Sequence, residues 1–246
     1  MASLYSSYTY EHPNFLVRFP HQRRLKLLMM HIRSKPVHRW LDYGAGDGAV
    51  YRYLDQHGPI SDAVLYETDD CLFDQAIENI GLTGKLRDPT IVKNLSEIDG
   101  EFDLITAFEV LEHLPLPERN KFFETVAEHL TPGGRVLIEV PVEHGPILLL
   151  KEYGRAVLKG RRSNYELTEL AMASVLGRVR DRYNRYDAND TRTFISPHHG
   201  FDLARFRKEL EQQGSIVKAT NSPFPPLPTW LNQCVIYELT FRRHLH

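Results

Sequence analysis

Residues 40–54 read WLDYGAGDGAVYRYL, an apolar run with one acid, Asp42, embedded ahead of Gly44, Gly46 and Gly48. Gly44, Gly46 and Ala49 satisfy the G-x-G-x-x-G/A spacing of dinucleotide-binding turns, in which missing Cβ atoms let backbone approach a ligand. Asp42 argues against a dinucleotide. Such a strand usually places an apolar residue before its first glycine, and a carboxylate there would repel a pyrophosphate. A ligand carrying an ammonium group with its own carboxylate close by would instead stabilise Asp42. Roughly 20 residues further on, VLYETDD places Glu67 where a carboxylate can accept hydrogen bonds from both hydroxyls of a ribose, which suits either ligand.

These residues need strands and turns to hold them. HRWLDYG, DAVLYETD, TIVKNL, FDLITAF and RVLIEVPV are short apolar runs alternating with helix-like stretches. That alternation predicts a parallel sheet covered on both faces, because parallel neighbours need crossover connections. Before them, Leu25, Leu28, Met29 and Ile32 recur at helical spacing and predict a flanking helix. After a helix at DLARFRKELEQQG, the runs SIVKAT and CVIYELTF, separated by SPFPPLPTW, permit a terminal antiparallel pair.

Composition sets limits. The chain has 246 residues, 42% hydrophobic and 25% charged, with a formal charge of -2 and two cysteines, Cys71 and Cys234. That is an ordinary globular composition; it gives no global attraction to nucleic acid and no disulfide framework. The opening MASLYSSYTYEHP lacks the basic and apolar regions of a secretory signal. The run Ile147–Leu150 is far shorter than the roughly 18 residues a spanning helix needs. The expected location is cytoplasmic, with a peripheral place at the inner face of the membrane as the variant.

Two further segments, EFDLITAFEVLEHL and LTPGGRVLIEVP with its Pro132-Gly133-Gly134 turn, complete a set of four. In this order they resemble the class I S-adenosylmethionine-dependent methyltransferase family over roughly residues 38 to 142. The resemblance implies an α/β, Rossmann-like, doubly wound seven-stranded sheet, mostly parallel with an antiparallel last strand, here with a helical insertion. It implies S-adenosyl-L-methionine as cofactor and no metal. Asp42 and the Gly44, Ala45 and Gly46 backbone would hold the methionine end, Glu67 would clamp the ribose, and Thr68 beside it would contribute to the cofactor site. Asn94 and Leu95 would lie along the adenine, and Phe108 and Glu109 would end the fourth strand near the sulfonium. The expected division of a single domain, 1–246, is an N-terminal helical flank (1–37), a cofactor-binding core (38–145), a helical insertion or lid (146–197) and the C-terminal part of the sheet (198–246).

The stretch from His144 to Gly200 exceeds the usual strand-to-helix link of about 2 to 6 residues, so it must hold structure of its own. Ser163-x-x-Glu166 reads as a capping box before a helix whose Leu167, Ala171, Val175 and Val179 share one face. Arg155, Lys159, Arg161, Arg162, Arg178, Arg180, Arg182 and Arg185 make the segment basic, and few acids lie nearby to pair with them. A solvated lid is one reading; peripheral contact of residues 151–185 with an anionic membrane surface is the other.

SPHHGFDLARFRKELEQQG resembles the C-terminal region of methyltransferases of surface-glycan and lipid-linked sugar pathways. The acceptor this implies is a hydroxyl of a small molecule, a sugar or a lipid-linked glycan. Quinone-pathway O-methyltransferases, which share the EVLEH wording, are the first alternative. An RNA methyltransferase, a nicotinamide-dependent oxidoreductase and a non-catalytic S-adenosylmethionine-binding scaffold are the others. With the methyl donor already activated, the protein has to align the acceptor oxygen and remove its proton. The candidate bases are His144, just past the fifth strand, then His199, at the start of the last helix, and His113 in EVLEHL. No two-histidine helical spacing points to a metal.

Overall fold

The computed structural model describes residues 10, 12–57, 60, 62–80, 89–159 and 163–241. Helix α1 (Phe15–Arg33) leads into β1 (Arg39–Tyr43), α2 (Ala49–His57), β2 (Asp62–Tyr66), α3 (Asp70–Ile80), β3 (Thr90–Val92), β4 (Phe102–Phe108), α4 (Leu116–His129) and β5 (Leu130–Pro141). The insertion supplies α5 (Pro146–Lys159) and α6 (Leu167–Leu176). The chain then returns through α7 (Leu203–Gln213), β6 (Gly214–Ser222) and β7 (Cys234–Phe241).

The strands form one seven-stranded sheet in the order β3-β2-β1-β4-β5-β7-β6. The pairs among β1 to β5 are parallel, whereas β7 runs antiparallel to both β5 and β6. The predicted α/β architecture, with its antiparallel last strand, is the one observed. Alternation sends successive side chains of β1 to opposite faces. Leu41 and Tyr43 pack with Phe122, Phe123 and Val126 of α4 and Phe206 and Leu210 of α7. Trp40 packs on the other face with Leu28 and Ile32 of α1, Tyr51 and Leu54 of α2, and Ala76 and Ile80 of α3. Strand order reverses between β1 and β4, and open α/β sheets bind ligands outside the carboxyl ends of the strands at such a point.

Arg135, buried in β5, docks α1 against the sheet. Its Nη1 donates to the carbonyl of His31 and its Nη2 to that of Ile32, at 2.5 and 2.9 Å, satisfying acceptors at the helix end. The predicted Pro132-Gly133-Gly134 turn lies within β5, between Leu130, which pairs with Phe102, and Arg135, which pairs with Leu104. The two partners are two residues apart on β4 and five on β5, so the turn is an outward bulge of the strand rather than a separate loop.

Candidate functional site

At the end of β1, Asp42 is 2% exposed. Its Oδ1 accepts a 2.6 Å hydrogen bond from the Thr106 hydroxyl, which itself accepts from the Trp40 indole N–H at 2.8 Å. Oδ2 is buried with no hydrogen-bond partner among the described residues. Burial, together with Glu67, pushes the Asp42 pKa up to about 7 despite the Thr106 bond. A buried carboxylate oxygen in that state calls for a cationic or donor group.

The glycine turn is tied to β2, with Gly44 and Ala45 N–H both donating to the Tyr66 carbonyl at 2.8 and 3.0 Å. Gly46 N–H donates to Glu67 Oε2 at 2.8 Å, and Asp69 N–H to Glu67 Oε1 at 2.9 Å. Each carboxylate oxygen of Glu67 keeps a further lone pair for a hydroxyl. Gly46 has φ +59°, and a Cβ there would meet nothing within 4 Å, so the space above the turn is open. A Cβ at Gly44 would strike Val110 at 2.5 Å, which places the turn directly against the segment after β4. These features fit an amino acid and ribose bound across β1 and β2. Thr68 follows Glu67 and is exposed. Past β3, Asn94 is exposed and its amide donates to Glu97 Oε1 at 2.6 Å, fixing the start of the turn Leu95–Glu97, where Leu95 packs on the core.

The other half of the crevice follows β4. Phe108 is half-buried and packs on the α1–α3 side. Glu109 has φ +55°, a left-handed conformation unfavourable for glutamate and found often at functional turns. Its carboxylate meets Arg24 of α1 at 2.7 Å, and Arg24 also contacts buried Glu139 at 3.3 Å. Burial raises Glu139, whereas at Glu109 Arg24, His198, His21 and Lys151 together outweigh burial and hold the pKa down at about 2.

Two residues on, the turn Leu111–His113 meets the segment that returns from the insertion. His113 Nδ1 lies 2.8 Å from the Ile195 carbonyl, and its ring is stacked on Phe194 at 4.7 Å and edge-on to His198 at 4.4 Å. His198 Nδ1 lies 3.3 Å from Glu112 Oε1 but off the direction of a hydrogen bond, so both oxygens of fully buried Glu112 lack a hydrogen-bond partner among the described residues. One nitrogen or oxygen from each of Glu112, His113 and His198 falls within 4.8 Å of the others. Burial lowers the His113 pKa; at His198 burial is outweighed by Glu112, Glu109 and Glu143, and the pKa rises.

The candidate bases thus separate. His113 joins the Glu112–His198 cluster. His144 is half-buried, lowered by burial, and makes no side-chain hydrogen bond among the described residues. His199 does not open the last helix, which is capped by Asp202 accepting from Ala204 and Arg205 N–H. It is 4% exposed, 4.0 Å from the Tyr165 ring and 3.5 Å from Glu169, and belongs to the packing of the insertion.

The insertion corrects three further expectations. The helix after Ser163 is capped by Glu166 with Glu169, not by Ser163, and it stops at Leu176 because Gly177 turns left-handed at φ +64°. Leu167 and Val175 are 86% and 78% exposed, while Ala173 and Ser174 are buried, so the apolar face points outward and Val179 lies beyond the helix. Arg155, Arg182 and Arg185 have acidic partners, Glu152, Glu166 with Glu169, and Asp181, and Lys151 pairs with Glu143. Burial would raise Glu143, but Lys151 and Arg155 hold it down to about 2. Arg161 and Arg162 lie outside the described residues.

The sequence marks Arg185 only as one of the basic residues of the insertion, with no sign of its buried role. Fully buried, it donates to the carbonyls of Glu112, Pro197 and His199 at 3.0, 2.8 and 3.0 Å, strapping the returning segment over the Glu112–His113 turn. Its own carbonyl accepts from Leu116 N–H, and His113 O from Ile195 N–H. Arg24, the partner of Glu109, likewise gave no local signal, because it arrives from the flanking helix.

A family model described as a methyltransferase domain matches residues 15–211. A ubiquinone biosynthesis O-methyltransferase of Coxiella burnetii is 30% identical over 118 residues, 46% of this chain and 47% of the relative; the match thus spans about half the length of the curated relative. A solved S-adenosylmethionine-dependent methyltransferase from Clostridium acetobutylicum superposes with a TM-score of 0.60 at 12% identity, covering 97% of this chain and 96% of that one. Magnesium protoporphyrin IX methyltransferase from Synechocystis, solved with bound S-adenosylhomocysteine, gives 0.56 at 17% identity over 92% and 86%. The N-methyltransferase NodS of Bradyrhizobium japonicum gives 0.53 at 13% over 89% and 86%.

Proposed function

The chain belongs to the methyltransferase-domain family, and from that premise we propose that it methylates a hydroxyl of a small acceptor of the phenol or quinol class. S-adenosylmethionine supplies a methyl group activated on a sulfonium, which passes to the acceptor oxygen as the S–CH3 bond breaks. The protein's own work is to hold both partners in line and to draw off the acceptor's proton.

The observation that carries the donor half is Asp42, a buried carboxylate with one unpartnered oxygen beside an open glycine turn. It would take the ammonium of the methionine end, and Glu67, braced by two backbone N–H groups, would take the ribose hydroxyls. Val110, in contact with that turn, is followed directly by the Leu111–His113 turn. The Glu112–His113–His198 cluster is therefore the titratable group placed to act on the acceptor.

Oxygen as the acceptor atom, and the phenol class over the sugar first expected, draw support from the ubiquinone-pathway relatives. A phenol of pKa about 10 also gives up its proton far more readily than a sugar hydroxyl. Calorimetric titration with S-adenosylhomocysteine tests the assignment of the donor site. Asp42→Ala and Glu67→Ala should each weaken binding by about 1.5 to 3 kcal/mol, the worth of a charged hydrogen bond, with the fold intact by circular dichroism. Unchanged affinity in both variants would reject it.

A further inference from the structure

We propose that Glu112, His113 and His198 bind one divalent transition-metal ion, and that the acceptor coordinates that ion through oxygens on two adjacent carbons. Glu112 and His113 come from the turn after β4 and His198 from the segment that returns from the insertion, and one ligand-type atom from each lies within 4.8 Å of the others. Bonds of about 2.0 to 2.2 Å place ligand atoms roughly 3 to 4.3 Å apart around a shared ion. The cluster is therefore within a few tenths of an ångström of closing on one.

The Glu112–His198 pair, 3.3 Å apart yet not hydrogen-bonded, is completed better by a cation held between its atoms than by their direct contact. Glu112 is fully buried with neither oxygen hydrogen-bonded among the described residues, and Nδ1 of His198 is also without a hydrogen-bond partner. A dehydrated carboxylate in that condition is costly unless a positive charge meets it. The nearby cations Arg24 and Lys151 are paired with Glu109 and Glu143. His113 in turn donates Nδ1–H to the Ile195 carbonyl, which fixes the tautomer and leaves Nε2 with its lone pair. Ligating histidines are held in this way by an outer partner. Arg185 serves as the positioning residue, since it clamps the carbonyls on either side of His198 and that of Glu112.

Two imidazoles and one carboxylate suit manganese, iron, cobalt or zinc better than magnesium or calcium, and such a face leaves coordination positions open. A bidentate pair of acceptor oxygens would fill them. The ion would lower the pKa of the bound hydroxyl, whose proton then passes to solvent before the oxygen forms its bond to the methyl carbon. The choice of acceptor rests on the proposed O-methylation, whereas the metal site itself does not.

The test therefore reads metal binding without an acceptor. Full-length protein stripped with a chelator is titrated with Co2+, followed by visible absorption and calorimetry, and S-adenosylhomocysteine binding is measured on the same samples. We expect one Co2+ per chain with ligand-field bands, and a loss of affinity of at least ~10-fold in Glu112→Gln and in His198→Ala. Retained S-adenosylhomocysteine binding shows each variant to be folded, and Glu112→Gln, of equal size, is decisive should His198→Ala fail to fold. No Co2+ binding by the wild type would overturn the proposal, as would binding unchanged in the variants. Failure of the wild type to bind S-adenosylhomocysteine would refute methyl transfer and leave the Co2+ result standing.

Discussion

At the scale of single residues, the role proposed for Asp42 would link donor binding to pH. Its pKa is raised to about 7, chiefly by burial, so the folded state holds a proton that the unfolded chain releases near 3.9. Its effect on stability is therefore nil below the unfolded value and increasingly unfavourable as pH rises towards 7. An ammonium bound beside it reverses that balance by favouring the carboxylate. S-adenosylhomocysteine affinity should accordingly rise from pH 5 to about 7 with proton release, read by calorimetry in buffers of different ionisation enthalpy, and Asp42→Asn should flatten the rise. A flat wild-type profile would count against the assigned role. On the acceptor side, His198→Ala should lower kcat about 10²- to 10⁴-fold with donor affinity preserved, the size of effect expected when the acceptor loses its route of deprotonation. His144→Ala should leave most of the activity. The reverse order would return the role to His144. Asp42, the glycines and Glu67 were legible in the sequence because each sits at a fixed distance from its neighbours on successive strands. The Glu112–His198 contact was not, because it is made across the whole insertion, and a search for two histidines at helical spacing passes over it.

At the scale of elements, the strands were legible because their apolar runs are short, rich in Val, Ile and Leu, and bounded by turn residues. The insertion is less helical than its sequence predicts, with helices only over Pro146–Lys159 and Leu167–Leu176 among the described residues. Between Gly177 and Asp202 there is no regular element, and the segment is held instead by hydrogen bonds that Arg185 donates to the Asp181 carboxylate. No local pattern marks Arg185, whose acceptors lie on both sides of the chain crossing. Arg185→Ala should destabilise the protein by about 3 to 5 kcal/mol, as when one partner of a buried charged network is removed, measured by denaturant unfolding. Arg185→Lys should not restore it, because one ammonium cannot reproduce the planar fork. A loss below about 1 kcal/mol would show that the strap is not under load. Helix α6 buries little apolar surface, with Leu167, Val175 and Leu176 exposed, so its amides should exchange hydrogen well before those of β4, β5 and α4. Equal protection would contradict that.

At the scale of the whole molecule, the sheet order and its switch point set where a ligand binds but not what is methylated. Relatives of this fold include an N-methyltransferase and an O-methyltransferase at low identity, so the acceptor has to be argued from side chains outside the strands. Among the described residues no helix is long and apolar enough to cross a membrane. The proposed donor half lies within one stretch of chain from β1 to β4 and could be read from motifs. The acceptor half, as proposed, would draw on α1, the turn after β4 and the segment before α7, which only the tertiary structure brings together. The central claim, methyl transfer to oxygen, is tested most directly by incubating the protein with methyl-labelled S-adenosylmethionine and a panel of catechols, simple phenols, sugars and amines, with products located by mass spectrometry. The account predicts label on one hydroxyl oxygen of a catechol-type acceptor, dependent on Asp42 and His198. Label on nitrogen, or transfer undiminished in the Asp42→Ala and His198→Ala variants, would contradict it.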